Sequence, residues 1–158
     1  MPTIELTTII QANIEVVFDL SRSIDFHKVA ASRSNESAIA GKTSGLIKLG
    51  ESITWRAKHF GVYQKLTSKI TAFNRPYAFT DEMVQGAFKS FRHEHRFEQI
   101  QDGTRMIDHF EYVSPMGWLG KLIDFLFLKK YMTRFLTERN ERIKEFAENG
   151  QYQEFLQK

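Results

Sequence analysis

The strongest constraint on this chain is a pair of alternating runs at residues 90–112. Ser90, Arg92, Glu94, Arg96 and Glu98 form an unbroken polar series. The intervening Phe91, His93, His95 and Phe97 form a second, mostly aromatic one. Successive side chains of a β-strand point to opposite faces, so such a run belongs in a half-buried sheet. Asp102-Gly103 then supplies a two-residue hairpin turn. With that loop, Gln101 pairs with Thr104, Phe97 faces Asp108, His95 faces Phe110 and His93 faces Tyr112. The inner face of the returning strand becomes Met106, Asp108, Phe110 and Tyr112, in phase with its partner. An antiparallel sheet of this kind has one apolar face that something must cover.

Other segments extend the pattern. Residues 3–10 are rich in β-branched types and read as a first strand. Asn13 suits a helix N-cap, with Glu15 in the first turn and Val16, Val17, Phe18 and Leu20 as the apolar face. A second short helix is expected over residues 24–31, and a loop over residues 32–45, which are mostly polar and small. Residues 51–60 alternate, placing Ile53, Trp55, Ala57 and His59 on one face. After a turn at Gly61, Val62, Gln64, Leu66, Ser68 and Ile70 share a face. Asn74-Arg75-Pro76 is turn chemistry, and residues 77–84 make a further strand. If Phe79 and Met83 face inward there, so does Asp81.

Ser114-Pro115 ends the sheet, with Pro115 suited to the first position of a helix. That helix is expected to run to about residue 148, where Asn149-Gly150 is a stop signal. At 1.5 Å per residue it would be about 50 Å long. Its apolar stripe is Leu119, Ile123, Leu126, Met132, Phe135, Leu136, Ile143 and Phe146. The start of this helix, with Trp118, a dense apolar run at residues 122–128 and Lys129-Lys130, has membrane-interface chemistry. A helix apolar on nearly all sides is more often buried, so packing against the sheet and the cavity-mouth loops is the expectation.

Composition narrows the classes. A length of 158 residues suits one domain, expected over residues 1–150 with a short tail at 151–158. Fourteen Phe are too many apolar rings to leave in water, so they must line a core or a cavity. With no Cys, disulfides, zinc–thiolate sites, iron–sulfur clusters and cysteine nucleophiles are excluded. Residues 1–6 carry no basic or long apolar run, so no leader is expected, and a cytoplasmic location fits. The glycines lack the spacing of phosphate-binding loops, and no G-x-S-x-G elbow occurs. Charge is uneven: residues 42–75 hold seven Lys or Arg against one acid, Glu51. These cations are spread out as on a solvated sheet face, and no nucleic-acid partner is expected.

The element order is α+β: a strand, two short helices, about six antiparallel strands, then one long helix. A single helix covers a curved sheet only in part, which leaves a cavity. The order resembles the helix-grip fold of the SRPBCC superfamily, which includes START lipid-transfer domains, the birch-pollen allergen family and polyketide cyclases. Local motifs look closer still to a bacterial SRPBCC ligand-binding subgroup. They include Ala38-Ile39-Ala40-Gly41, Thr43-Ser44-Gly45-Leu46, Gly50-Glu51 with Trp55, His59-Phe60-Gly61, and Phe79 with Asp81-Glu82-Met83. Gly86-Ala87-Phe88-Lys89-Ser90-Phe91, followed by His93 and His95, belongs with them. The resemblance implies a curved antiparallel sheet wrapped around the C-terminal helix and a ligand in the gap. It implies no fixed catalytic set, because this scaffold hosts carriers, cyclases, sensors and chaperone activators.

His93-x-His95 is the most suggestive chemistry. Both imidazoles share a face with Phe91 and Phe97, and the register above sets Asp108 diagonal to His95, at roughly 7 Å between backbones. The pair can serve as hydrogen-bonded members of a mixed core, as groups orienting a ligand in an apolar pocket, or as a metal or acid–base pair with His59 or Asp108. A two-histidine motif is weak without a third ligand, so no metal and no cofactor are assigned. The expected function is carriage or sensing of a small hydrophobic or amphipathic ligand rather than catalysis. Trp55, His59, Gln64, Phe79, Asp81, Phe91, His93, His95, Phe97, Asp108, Phe110 and Tyr112 would form the wall. One alternative is a cyclase- or dehydratase-type enzyme using His95 and Asp108. Another is a module docking on a membrane or partner.

Overall fold

The computed structural model describes residues 2–31, 35–59, 61–115 and 117–156, without the side chains of residues 120, 124 and 125. The expected roles of residues 32–34 in a loop, of Phe60 at a strand end and of the Phe125 ring therefore lie outside the described residues. The chain forms β1 (Thr3–Ile10), α1 (Ile14–Ser21), α2 (Ile24–Ala30), β2 (Ser37–Gly41), β3 (Ser52–His59) and β4 (Val62–Asn74). It continues with β5 (Ala78–Gln85), β6 (Ser90–Ile100), β7 (Gly103–Val113), α3 (Gly117–Ile123), a π-helical segment (Asp124–Leu128), α4 (Lys129–Asn149) and α5 (Gln153–Leu156). The seven strands make one sheet in the order β1-β7-β6-β5-β4-β3-β2, with every neighbouring pair antiparallel. With α4 packed on the sheet, this is the helix-grip fold.

The two short helices start where polar caps permit. The Asn13 side chain accepts a hydrogen bond from the Glu15 amide at 2.8 Å, and Ser23 accepts one from the Phe26 amide at 3.1 Å. Each satisfies an amide that the first helical turn leaves without a partner. Phe18 of α1 sits edge-on to Phe73, Phe79 and Phe97, with ring centroids 5.2–5.5 Å away, and is fully buried. Edge-to-face contact of this kind adds to the burial of each ring. A second cluster gathers Ile4, Phe91, Phe110, Tyr112 and Leu136.

The structure corrects the hairpin register. Ile100 pairs with Gly103, so the loop is Gln101-Asp102, and Asp102 takes the left-handed conformation at φ 63°. Gly103 is needed in the strand itself, since a Cβ there would lie 2.3 Å from the carbonyl oxygen of Ile10. The true pairs are His93 with Phe110, His95 with Asp108 and Phe97 with Met106. A slip of two residues keeps every side chain on its face, so Met106, Asp108, Phe110 and Tyr112 all remain buried.

Residues 37–41, read as part of a loop, form the edge strand β2. It has one partner and a bulge between Ala38 and Ala40, which breaks the alternation that marks a strand. The last helix begins at Gly117, two residues after Pro115, and its path is interrupted by the π-helical segment. Its early part does not pack as expected: Trp118, Leu119, Leu122, Ile123, Leu126 and Phe127 are exposed, while Leu136, Ile143 and Phe146 are buried. The residues after Gly150, read as a short tail, add α5, and Phe155 packs edge-on to Phe26 with centroids 5.5 Å apart. Among the described residues no helix is long and apolar enough to cross a membrane.

Candidate ligand cavity

Between the sheet and α4 lies a cavity of about 380 Å³. That is within the range of pockets that enclose small organic ligands. Of the residues expected at its wall, Trp55, His59, Gln64, Phe79, Asp81, Phe91, His93, His95 and Phe110 line it. Phe97, Asp108 and Tyr112 stand behind that wall. Phe97 packs into the Phe18 cluster, Tyr112 packs against Phe88 at 5.3 Å, and Asp108 is fully buried beneath the histidines.

The corrected register builds a polar network into the cavity wall. Asp81 on β5, His93 and His95 on β6 and Asp108 on β7 occupy neighbouring inward positions on three adjacent strands. The His93 and His95 rings stack at 3.7 Å, and Phe79 stacks on the other face of His95 at 4.1 Å. His93 Nε2 donates to Asp108 Oδ1 at 2.8 Å, and His95 Nε2 to Asp81 Oδ1 at 2.8 Å. From α4, Asn140 Nδ2 donates to Asp108 Oδ2 at 2.6 Å. Arg139 donates to Asn140 Oδ1 at 3.0 Å and stands 3.5 Å from Asp108 Oδ1. His95 Nδ1 is buried without a hydrogen-bond partner, with Asp108 Oδ1 3.5 Å away.

Burial resists charge on Asp108, yet the hydrogen bond from His93, the His95 imidazole 3.5 Å away and the charge of Arg139 hold its carboxyl well below the usual range. Burial likewise opposes ionisation of Asp81, and the His95 hydrogen bond together with the charges of His95, His93 and Arg139 outweighs it and lowers that carboxyl. Burial and the neighbouring His95 push His93 down, toward the neutral form. For His95 burial acts in the same direction, but its two carboxylate partners prevail and raise it. The histidines are thus driven apart, one toward neutral and one toward charged, at adjacent points of one wall.

A second polar group occupies the other side of the cavity. His59, at the end of β3, shares a 2.5 Å hydrogen bond with the Tyr131 hydroxyl of α4. His27 of α2 pairs with Glu36 at 2.6 Å and packs at a tilt against Trp55, with ring centroids 4.5 Å apart. Burial lowers His59, only partly offset by Glu36. Between the two groups the lining is apolar, with Leu66, Met132, Phe135 and Leu136.

The ligating atoms of Asp81, His93 and His95 lie within 4.8 Å of one another, which is close enough to share a cation. Doing so would cost the His95–Asp81 hydrogen bond.

Sequence reasoning missed Arg139, Asn140, Tyr131, His27 and Glu36. For Asn140 a signal exists: it lies four residues after Leu136 and three before Ile143, on the stripe that faces the sheet.

No family model and no curated protein sequence matches this chain. Solved structures do. TTHA0849 from Thermus thermophilus aligns with a TM-score of 0.70 at 17% identity, over 90% of this chain and 97% of that one. SA2116 from Staphylococcus aureus, a protein of unknown function, aligns at 0.71 and 11% identity over 95% of each chain. Major latex-like protein 151 from Panax ginseng aligns at 0.67 and 15% identity, over 92% and 97%. At these identities the likeness establishes the shared fold and nothing finer.

Proposed function

With the helix-grip fold as the premise, we propose that this protein binds a small, largely apolar ligand between sheet and α4, as a carrier or sensor. The observation that carries this reading is a mostly apolar cavity with one ordered polar network set into its wall. Small-ligand sites combine these two features: apolar lining supplies burial and a few convergent polar groups fix orientation. His95 and Asp81 would meet the polar end of the ligand, and Phe91, Phe110 and Leu136 its body. The lack of cysteine suits work in the reducing cytoplasm.

Solvent extraction of the purified protein, followed by mass spectrometry, should release a bound apolar compound. The stripped protein should then bind an environment-sensitive apolar dye that the extract displaces. Ala57→Phe, which fills the cavity from β3, should abolish dye binding while the far-ultraviolet spectrum stays unchanged. A stripped protein that neither binds the dye nor yields an extractable compound would end this reading.

One observation favours a second reading, an enzyme of the cyclase or dehydratase type. His95 is held toward its charged form at the cavity wall between Asp81 and Asp108, so it carries the proton that a general acid gives up. Asp108 would then position the imidazole. His95→Gln should remove turnover of an identified ligand and leave its binding intact. Full turnover in that variant would dismiss the acid–base role.

A further inference from the structure

We infer that the rim of the cavity docks on an anionic lipid bilayer. Trp118, Leu119, Leu122, Ile123, Leu126 and Phe127 project into water from α3 and the π-helical segment, with Trp118 78% and Phe127 62% exposed. Singly exposed apolar residues are ordinary, but six large ones within ten residues form a patch that a soluble surface does not carry without use. The patch is continuous with the cavity, because Ile123 and Leu128 also line it.

A second element brings an apolar tip to the same rim. Val62, at the turn between β3 and β4, is 59% exposed, and the His59–Tyr131 hydrogen bond ties that turn to the first turn of α4. The mouth therefore has two jaws, a helix and a hairpin tip, both ending in apolar side chains.

Charge selects the occupant. Across residues 114–138 the helix jaw carries Lys121, Lys129, Lys130 and Arg134 against two acids, Asp124 and Glu138, of which Glu138 pairs with Arg134. Across residues 52–73 the hairpin carries Arg56, Lys58, Lys65 and Lys69 and no acid. Apolar residues flanked by lysines, with a Trp at the edge, match an interface of anionic headgroups over acyl chains. A second copy of the chain would bring one cationic rim against another, which disfavours self-association through this face. The patch lies on the surface rather than across a bilayer, since none of the described helices can span one. The docking does not depend on which ligand the cavity takes, and it sets the cavity mouth against a store of apolar molecules.

The test is co-sedimentation of the full chain with vesicles of phosphatidylcholine alone or mixed with phosphatidylglycerol. The protein should sediment with the anionic vesicles at low salt, and the Trp118 emission should shift to the blue in a Trp55→Phe background. Trp118→Glu with Phe127→Glu should abolish both signals. Lys129→Glu with Lys130→Glu should weaken binding by more than about tenfold at low salt, with the loss fading near 1 M salt. Tyr77→Glu, equally exposed but at the turn between β4 and β5, should bind as the parent does. Equal sedimentation of the parent and the Trp118/Phe127 variant would overturn the inference. So would light scattering that shows a dimer broken by Phe127→Glu in a protein that ignores vesicles.

Discussion

From Lys129 to Asn149 the closing helix turns Leu136, Ile143, Phe146 and Ala147 into the protein. Over the preceding turns the same helical path directs Trp118, Leu122 and Phe127 into water. The earlier stretch is the more apolar of the two, yet the charge-rich later one is the one that packs, because they differ in what they meet. The later one packs against α1, α2 and β1 and closes the fold. The described side chains of the earlier one reach the cavity at Ile123 and Leu128 and otherwise face water, so its exposed apolar residues contribute little to stability. Apolar content therefore has two roles here, and burial separates them.

Paired substitutions can break this contrast. Phe146→Ala should have the largest effect, destabilising by about 3–5 kcal/mol in a urea titration, because it leaves a cavity among Phe26, Phe155 and their neighbours. Asp108→Asn should cost about 3 kcal/mol, since it leaves the Arg139 guanidinium buried without its counter-charge. Gly103→Ala should cost about 1–3 kcal/mol by forcing β7 away from the Ile10 carbonyl. At the other extreme, Phe127→Ala should change the urea midpoint by no more than about 0.5 kcal/mol equivalent. If Phe127→Ala proved as damaging as Phe146→Ala, the division between fold and rim would collapse.

Stability against pH sharpens the role of the buried network. The carboxyls of Asp81 and Asp108 titrate below their ordinary 3.8 in the folded state. The unfolded chain then binds more protons in that range, so their contribution is present above it and lost as pH falls through the folded values. His95 is raised above 6.5, so its contribution is full below 6.5 and lost as pH rises through its folded value. His93 is lowered, so its contribution stands above 6.5 and declines as pH falls through its folded value. Urea midpoints measured across pH should therefore fall off on the acid side, and Asp108→Asn should flatten that acid limb. An unchanged limb would mean that this network does not govern acid stability.

The fold was legible because face alternation survives errors of register. Reading Asp102-Gly103 as the turn displaced every cross-strand pair by two residues, yet left each side chain on its correct face. The price was local: Asp108 was placed diagonal to His95 when it stands directly opposite. No residue pattern reveals that Gly103 is reserved for the close approach of Ile10, because that contact joins segments about ninety positions apart. The edge strand β2 was hidden by its bulge. Much of the cavity wall on the sheet could be read from strand phase, including Trp55, Gln64 and both histidines. The contribution of α4 could not, because Arg139 and Tyr131 are ordinary surface types until a partner faces them. Burial of the early helix was expected from its uniform hydrophobicity, and hydrophobicity alone cannot tell a packed face from one that awaits a partner.

The π-helical segment at Asp124–Leu128 gives that distinction a mechanical basis. A wider turn absorbs one residue more than the α-helical ladder would, and one residue is about 100° of helical rotation. Everything upstream is thereby rephased against everything downstream. Trp118 and Phe146 sit on one continuous rod, but the stripe that begins at Leu136 cannot be extrapolated back through the wide turn. Deleting a single residue within it would swing the rim residues around the axis by about a quarter turn. The molecule thus sets the aim of its exposed surface by counting residues, independently of which side chains that surface carries.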